Sequence, residues 1–466
     1  MVINTIDMAD FNFNNDIEVQ RTFFNTNVTK NVSFRISQLK KLKSVLRANQ
    51  GLMDKAVYKD FKKGSYENYA TELSIIYNEI NNYIKNIKQW SRRIRVKTDI
   101  ANIPAKSYII PEPLGVTLVI GAWNYPYQLS ILPMVAAMAA GNTVIIKPSE
   151  LSLNSSNVMA KIINDNFDAN YIKVIEGGVP ETTALLKEKF DKIFYTGSTN
   201  VGKIVMKAAA EQLCPVVLEL GGKSPSFVFK DANLKIAAKR LVWAKFVNGG
   251  QTCVAPDYLL LEKGVKEKLL LEIKKQIVEI IGENPIDSEA FVRIINPRHF
   301  HRLSKLIDKQ KVVFGGGTIE KELYIEPTIL DNVSFDDLVM QEEIFGPILP
   351  MIEFDSLDWA IKQVKDSPKP LALYVFGKNR YNINKILKEI SFGGGAVNDA
   401  IMHLANVNLP FGGVGDSGTG SYHGKYGFDT FTHFKSVLDK STLFEPSIKY
   451  APYSNFKLKL LKMLLG

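Results

Sequence analysis

The sequence predicts an α/β protein built on a doubly wound parallel sheet. Between positions 116 and 220, short β-branched apolar runs alternate with stretches of helical periodicity, and polar or glycine-containing turns follow the runs. Strands that alternate with helices in this way pair in parallel and carry helices on both faces of the sheet. A second α/β stretch runs from about 220 to 407, and 466 residues exceed what one compact core usually holds. We therefore expect two α/β units with smaller segments attached.

Each predicted element has a local signal. In the first unit we expect strands at 116–120, 143–146, 172–175, 192–195 and 216–220, and helices at 131–140 and 154–166. The polar segment 33–90 carries Leu39, Leu42, Val45 and Leu46 at helical spacing, which predicts a helical N-terminal layer. In the second unit, 371–376 is a candidate strand. Ligands of such sheets bind beyond the carboxyl ends of the strands, so the turns after the strands are the expected site.

The composition limits the classes of protein to which this chain can belong. The two cysteines, Cys214 and Cys253, provide no disulfide framework, and residues 1–16 have no secretory pattern, so we expect a cytoplasmic protein. The net charge is +10, but the basic residues are spread along the chain, which does not favour nucleic-acid binding. No apolar run reaches the roughly 18 residues of a membrane helix. The basic, apolar segment 456–466 leaves two interpretations: peripheral contact with an anionic membrane at its inner face, or docking on the protein itself.

Three residues have the chemistry of a covalent two-step reaction. Cys253 lies in a glycine-rich turn, where small neighbours let a carbonyl approach a thiol, and Glu219 ends an apolar strand before two glycines. Burial would raise the pKa of Glu219 toward that of a general base, the alternative being a salt bridge to Lys223. Asn124 follows another strand and has an amide that can donate to an oxyanion. Cys214, before Pro215, has the pattern of an inert buried thiol.

The turns also offer a nucleotide site. Positions 197–202 follow a strand and open a helix, as a dinucleotide pyrophosphate site should, although Thr199 departs from the usual G-x-G-x-x-G spacing. Lys147 and Glu150 follow another strand, where they could bind ribose hydroxyls or a phosphate. Trp123, Tyr125 and Tyr127 indicate an aromatic-walled tunnel. The five histidines show no metal-ligand spacing, so no metal is predicted.

The ordered motifs together resemble the NAD(P)-dependent aldehyde dehydrogenases over nearly the whole chain. The motifs that carry the resemblance are Trp123-Asn124-Tyr125-Pro126, Lys147-Pro148-Ser149-Glu150, Thr196-Gly197-Ser198-Thr199, Glu219-Leu220-Gly221-Gly222-Lys223, Gly250-Gln251-Thr252-Cys253 and Glu343-Ile344-Phe345-Gly346-Pro347. The stretches 251–258, 409–415 and 421–425 are similar to the class 3 branch, which acts on fatty and aromatic aldehydes and includes bacterial carotenoid-aldehyde dehydrogenases.

The resemblance implies a subunit of three parts and a homodimer. The implied fold is a Rossmann-like doubly wound nucleotide domain (1–91 and 112–218) and an α/β catalytic domain (219–406). A small oligomerisation arm (92–111 and 407–442) and a C-terminal tail (443–466) complete it.

It also implies roles for individual residues. Cys253 would be the nucleophile, Glu219 the general base and Asn124 the oxyanion donor, in the oxidation of aldehydes to carboxylic acids through a thiohemiacetal and a thioester. The residues implied for binding NAD or NADP are Trp123, Lys147, Glu150, Gly197, Ser198, Thr199, Val201, Gly202, Leu220, Gly221, Glu343 and Phe345. Those implied for the aldehyde are Tyr125, Tyr127, Thr252 and Phe411. We expect medium or long aliphatic, or aromatic, aldehydes.

Two other functions stay open at this point. In a CoA-acylating dehydrogenase, CoA instead of water takes the acyl group, and a hydrolytic base such as Glu219 would be counterproductive. A catalytically silent structural or membrane-attached relative would have no reason to keep Cys253, Glu219 and Asn124 together.

Overall fold

The computed structural model of the protein describes residues 11–465. The α-helices, in chain order, are α1 (Asn14–Asn25), α2 (Val32–Ala48), α3 (Gln50–Phe61), α4 (Ser65–Asn68), α5 (Ser74–Trp90), α6 (Pro126–Ala140), α7 (Leu153–Asn164), α8 (Val179–Leu185), α9 (Thr199–Glu211), α10 (Leu234–Phe246), α11 (Lys266–Ile281), α12 (Pro297–Ser304), α13 (Leu338–Gln341), α14 (Leu357–Asp366), α15 (Arg380–Glu389), α16 (Gly424–Thr430) and α17 (Asn455–Leu465). A π-helical turn, Tyr69–Leu73, joins α4 to α5.

The strands alternate with these helices. They are β1 (Ile94–Val96), β2 (Ala105–Pro113), β3 (Val116–Ile120), β4 (Thr143–Lys147), β5 (Ile172–Val174), β6 (Lys192–Thr196), β7 (Val216–Glu219), β8 (Pro225–Val228), β9 (Tyr258–Glu262), β10 (Val312–Phe314), β11 (Thr318–Ile319), β12 (Tyr324–Ile325), β13 (Thr328–Leu330), β14 (Ile348–Phe354), β15 (Ala372–Phe376), β16 (Gly394–Val397), β17 (Gly418–Thr419) and β18 (Thr432–Lys440).

The first sheet has the strand order β17-β7-β6-β3-β4-β5, and all its pairs are parallel except β17 with β7. Alternate residues of β3 enter different cores. Val119 faces the core that contains α6, while Leu118 and Ile120 face the core shared with α1, α8 and α9. Helices therefore cover both faces, and the predicted doubly wound α/β fold is confirmed.

The predicted elements of this unit are present with small shifts in their ends. β4 continues to Lys147, which was expected in the following turn, and β6 continues one residue past its predicted end, to Thr196. The largest shift is at α6, which begins at Pro126, five residues before the predicted start at 131. Proline suits the first turn of a helix, because the N–H that it lacks has no helical partner there.

The helical layer predicted for 33–90 lies against this sheet. Leu39, Leu42 and Leu46 are fully buried, and Val45 is partly buried at the edge of the same core. Helices α2 and α5 pack on α6, and α3 packs on α7. The layer thus covers the face of the first sheet on which α6 lies.

The second sheet has the order β10-β13-β14-β9-β8-β15-β16 and is parallel except for β10 with β13. The predicted strand at 371–376 is β15. This sheet belongs to the stretch that contains Cys253, so each sheet contributes turns to the region between them.

The third sheet is antiparallel, with the order β1-β2-β18. Strands β2 and β18 pair along nine residues, from Ala105 with Lys440 to Pro113 with Thr432. The range 407–442 contributes to two sheets, because β17 joins the first and β18 the third. Among the helices of residues 11–465, none has the length and apolar character that would let it cross a bilayer.

Candidate active site

The turns that follow β3, β4, β6 and β7 and the turn that carries Cys253 all line one cavity of about 1000 Å³. The carboxyl ends of neighbouring parallel strands meet at one edge of a sheet, which explains why residues far apart in sequence meet here. Cys253, Glu219 and Asn124 all line this cavity.

The turn before Cys253 is tightly built. After α10, Asn248, Gly249 and Gly250 adopt φ angles of 54°, 61° and 74°, in the left-handed region. A Cβ on Gly250 would lie 2.3 Å from the carbonyl oxygen of Gly346, so no side chain fits there. The Gln251 side chain donates to the carbonyl of Asn248 (3.0 Å) and accepts from the N–H of Ile295 (3.1 Å). These contacts fix the backbone that presents the thiol.

Side-chain hydrogen bonds join this turn to the one after β3. The Asn124 amide Nδ2 donates to the carbonyl oxygen of Gln251 at 2.9 Å, and the hydroxyls of Tyr125 and Thr252 are 2.6 Å apart. Because Nδ2 carries two hydrogens, one remains for another acceptor. The amide and Cys253 are therefore held in one rigid unit.

Glu219 is the last residue of β7 and is almost completely buried, at 3% exposure. Neither carboxylate oxygen has a hydrogen-bond partner among the described residues, and burial raises its pKa well above the usual value. Lys223 does not pair with it: the ammonium lies 2.6 Å from Asp257 and donates to the carbonyls of Val339 and Glu342. The salt-bridge interpretation of Glu219 is thus wrong, and within the described part of the chain the residue is a buried carboxyl group without a polar partner.

The Cys253 thiol has a raised pKa in this environment. Burial is the main cause, and the carboxylates of Glu343 and Glu219 add to it by disfavouring a second negative charge. Burial likewise raises the pKa of Glu343 to about 8, and Asp257 reinforces the shift. A positive charge in this part of the cavity would favour ionisation of the thiol.

The turn at 197–202 faces the same cavity through Gly197, Ser198 and Val201. Ser198 is the N-cap of α9, and its hydroxyl accepts from the N–H of Val201 at 3.4 Å. Thr199 and Gly202 do not line the cavity. Gly202 lies beneath it, where an added Cβ would be 2.6 Å from Leu220 Cδ2, so its role in the structure is to let Leu220 pack closely.

Lys147 and Glu150 form a polar corner beside this turn. Lys147 ends β4 with 1% exposure, donates from Nζ to the carbonyl of Pro148 (2.6 Å) and lies 3.7 Å from the Glu150 carboxylate. Burial lowers the pKa of Lys147, and Glu150 opposes the change. An ammonium and a carboxylate side by side at the end of a strand suit ribose hydroxyls, which both donate and accept.

On the other side, Glu343 and Phe345 approach the loop between β7 and β8. The Glu343 carboxylate lies against Gly221, at 1.9 Å from the position of a Cβ there, so only glycine is accommodated. Phe345 packs edge-on against Trp123, with ring centroids 5.4 Å apart. Apart from Thr199 and Gly202, the residues expected to hold a dinucleotide line the same cavity as Cys253, with the N-terminus of α9 at one end, which fits NAD or NADP.

Three of the four residues predicted to bind the aldehyde lie at the cavity. Tyr125, Thr252 and Phe411 line the cavity, but Tyr127 does not. Tyr127 is fully buried on α6, and its hydroxyl donates to the carbonyl of Met53 at 3.1 Å. The expectation for Tyr127 is corrected because α6 starts at Pro126, which places this ring in the helical core instead of the turn.

Several cavity residues were not anticipated. They come from the π-helical turn, α5, α6, α10 and the segment before Phe411, and they include Ile75, Leu129, Trp243, Met402 and Leu404. Trp243 and Met402 are apolar side chains with 38% and 48% of their surface exposed, which is typical of a binding surface. This exposure cannot be read from the sequence.

The fold and site define a class: a dinucleotide-binding α/β protein in which a partly buried thiol, an amide donor and a carboxyl with no hydrogen-bond partner among the described residues share one cavity. Residues 17–437 match the aldehyde dehydrogenase family, and the chain belongs to it. The chain is 50% identical, over 95% of its length and 96% of the relative, to 4,4'-diaponeurosporen-aldehyde dehydrogenase of Staphylococcus aureus. It is 48% identical to the rat dimeric NADP-preferring aldehyde dehydrogenase, over 92% and 95% of the two chains.

Comparison with a solved structure supports the same family. The substrate-bound state of Staphylococcus aureus AldH superposes with a TM-score of 0.96 at 48% identity, covering 98% of this chain and all of that one. The resemblance to the class 3 branch is therefore confirmed. The protein is an oxidoreductase that oxidises aldehydes with NAD or NADP.

Proposed function

We propose that Cys253 is the nucleophile, Asn124 the oxyanion donor and Glu219 the general base of a hydrolytic aldehyde oxidation that yields a carboxylic acid. The proposal rests on one observation: a buried carboxyl that has no hydrogen-bond partner among residues 11–465 lines one cavity together with a thiol and an amide. Burying a carboxyl group without a hydrogen-bond partner costs free energy, and this cost favours a functional role for Glu219.

The reaction begins at the thiol. The Cys253 thiol gives its proton to solvent water, the thiolate sulfur adds to the aldehyde carbon, and the C=O π electrons move to the oxygen, which becomes an oxyanion. The Asn124 amide and the backbone N–H of Cys253 donate to that oxyanion, and one such donor typically contributes about 2.7–4 kcal/mol in the transition state. Bound NAD(P)+ supplies the acceptor for the hydride that the carbon must lose as the thiohemiacetal becomes a thioester.

Hydrolysis then releases the product. Glu219 takes a proton from water, whose oxygen attacks the thioester carbon; the C–S bond breaks, the acid leaves and Cys253 is regenerated. A raised pKa suits Glu219 to this role, because general bases work best when their pKa lies near the working pH.

The chain's own residues hold the cofactor in this proposal. Ser198 and the N-terminus of α9 would meet the pyrophosphate, Lys147 and Glu150 the adenosine ribose, and Glu343 with Phe345 the nicotinamide ribose. Trp123, Val201, Leu220 and Gly221 would complete the surface, while Thr199 and Gly202 would support it from below.

The aldehyde is proposed to be apolar: medium or long aliphatic, or aromatic. Cavity residues from the π-helical turn, α5, α10 and the 401–411 segment include no Asp, Glu, Lys or Arg. Apolar walls favour apolar substrates by about 0.8 kcal/mol for each buried CH₂. The name of the Staphylococcus aureus relative, which refers to a diaponeurosporen aldehyde, agrees with this class.

The test follows reduced nicotinamide formation from octanal with NAD or NADP and no CoA, in wild type and in Cys253→Ala. Turnover in wild type that disappears in the variant supports the proposal and ranks the cofactors. Turnover only with CoA would replace it with acylation, and none under any condition would favour a silent protein. A decline in kcat/KM from octanal to acetaldehyde tests the substrate class; a preference for succinic semialdehyde would refute it.

We also propose a cytoplasmic homodimer. Both described cysteines are free, which suits a reducing compartment, and the third sheet exposes Ile94, Val96 and Leu438, apolar side chains that a second subunit could cover. The rat relative is named as dimeric. Light scattering should give twice the chain mass; a monomer would contradict the proposal.

Peripheral membrane contact through 456–466 remains a separate proposal. No residue of α17 is buried, and Phe456 and Met463 are 75% and 73% exposed beside its lysines. Sedimentation with anionic vesicles should pellet the full chain and not a chain that ends at 455. Equal pelleting of both would refute this contact.

A further inference from the structure

A buried ion pair lies behind the turn that carries Asn124. The Lys63 ammonium and a carboxylate oxygen of Glu72 are 3.0 Å apart, and both side chains are fully buried. The other oxygen of Glu72 accepts the backbone N–H groups of Tyr127 (2.9 Å) and Gln128 (3.1 Å). A carboxylate from the N-terminal layer therefore satisfies the free donors in the first turn of α6, immediately after Asn124.

Another carboxylate of the same segment reaches the nucleophile turn. An oxygen of Glu67 accepts the backbone N–H of Asn248 at 2.9 Å. The Asn248 amide then donates to the Asn124 carbonyl (2.8 Å) and to the Gln251 carbonyl (3.2 Å). The Gln251 carbonyl also accepts the Asn124 amide. Asn248 thus bridges the turn of the oxyanion donor and the turn of the thiol.

The π-helical turn explains how one short segment serves both turns. Residues five apart in an α-helix point about 140° away from each other. Here the chain instead forms the π-helical turn Tyr69–Leu73, which begins two residues after Glu67 and contains Glu72, and whose hydrogen bonds join residues five apart. The extra residue per turn lets Glu67 reach Asn248 while Glu72 reaches the start of α6. Such turns are frequent at functional sites.

We propose that Glu67 and Asn248 are positioning residues of the oxidation, which hold the Asn124 amide at the distance from Cys253 that the oxyanion requires. This inference rests on the proposed role of Asn124. Oxyanion donors act within a narrow range of distance, and a displacement near 1 Å can lower a rate by roughly 10²-fold. The Lys63–Glu72 pair holds the chain on the other side of Asn124, at the start of α6.

The test is a double-mutant cycle between Asn248→Gly and Asn124→Ala. Glycine keeps the left-handed backbone of position 248, where φ is 54°, and removes the bridging amide. The readout is the single-turnover rate constant of reduced nicotinamide formation with enzyme in excess over octanal. We expect Asn248→Gly to lower it roughly tenfold or more in wild type, and less than about twofold once Asn124 is alanine.

Glu67 is tested by a pair of variants. In Glu67→Gln the amide oxygen still accepts the N–H of Asn248, so the rate constant should stay within about twofold of wild type. Glu67→Ala removes the acceptor and should slow the reaction as Asn248→Gly does. Thermal unfolding and NAD affinity are followed in parallel, and rates are measured well below each midpoint, which separates positioning from loss of folded enzyme.

The outcomes are distinguishable. Losses that multiply in the Asn124→Ala background, or rates at the wild-type level in Asn248→Gly or Glu67→Ala, would overturn the inference while leaving the role of Asn124 intact. A wild-type rate in Asn124→Ala alone would refute the proposed oxyanion role, and the inference with it.

Discussion

Replacing Glu219 by glutamine should separate the two halves of the reaction. Glutamine has nearly the same shape, and Glu219 makes no hydrogen bond to a described residue that the change would break. It cannot take a proton from water, and general-base catalysis typically contributes 10²–10⁴-fold, about 3–5 kcal/mol. We therefore expect one equivalent of reduced nicotinamide per active site at close to the wild-type rate, followed by a steady state slower by that factor.

Stopped-flow absorbance with octanal and saturating cofactor measures both phases. The matched control is Glu343→Gln, which alters the other carboxylate near the thiol: its proposed role is in cofactor binding, so its first phase should slow. In wild type the hydrolytic step should accelerate as pH rises through the raised pKa of Glu219, because only the ionised form accepts a proton. A first phase abolished in Glu219→Gln, or an unchanged steady state, would refute the assignment.

Three further predictions concern the ionisation of the thiol and the stability of the first α/β unit. Binding of the oxidised cofactor should lower the pH midpoint of Cys253 alkylation by iodoacetamide, because its cationic nicotinamide ring offsets the burial and carboxylates that raise the thiol pKa; an unchanged midpoint contradicts this. Gly202→Ala should destabilise the fold by about 1–3 kcal/mol in urea unfolding and raise the cofactor KM, because the new Cβ would overlap Leu220; an unchanged midpoint would argue against tight packing. Asn142→Ala should cost about 3 kcal/mol or more, because it removes partners of the Gly115 N–H and the Ala137 and Phe431 carbonyls; a loss under 1 kcal/mol would contradict that bookkeeping.

Much of this architecture is predictable because its signals are local. The β-branched runs that end at Ile120, Lys147 and Glu219 are fully or largely buried strands, and their hydrophobicity marks them in the sequence. The parallel order of such strands then brings their following turns together. The amide and the carboxyl could be placed at one edge of the first sheet for that reason, whereas Cys253, which follows α10, was joined to them by its chemistry and by the family resemblance.

Other features depend on tertiary contacts and leave little trace in the sequence. Tyr127 resembles Tyr125 in sequence, but the helix that begins at Pro126 takes it into the core. The buried Lys63–Glu72 pair and the Glu67 contact lie in a polar segment that periodicity describes only as an amphipathic helix. A π-helical turn there has no propensity signal, because the contacts that compensate for it come from α6 and the nucleophile turn.

The most direct test of the account is to find the acyl group on the enzyme. Glu219→Gln is mixed with octanal and NAD(P)+, quenched in acid and digested, and the cysteine peptides are weighed by mass spectrometry. We predict an octanoyl thioester on the peptide of Cys253 and none on that of Cys214, because Cys214 is buried in the core shared with α1, α8 and α9 and does not line the cavity. Octanoic acid formed without acylation of Cys253, or an acyl group on Cys214, would contradict it.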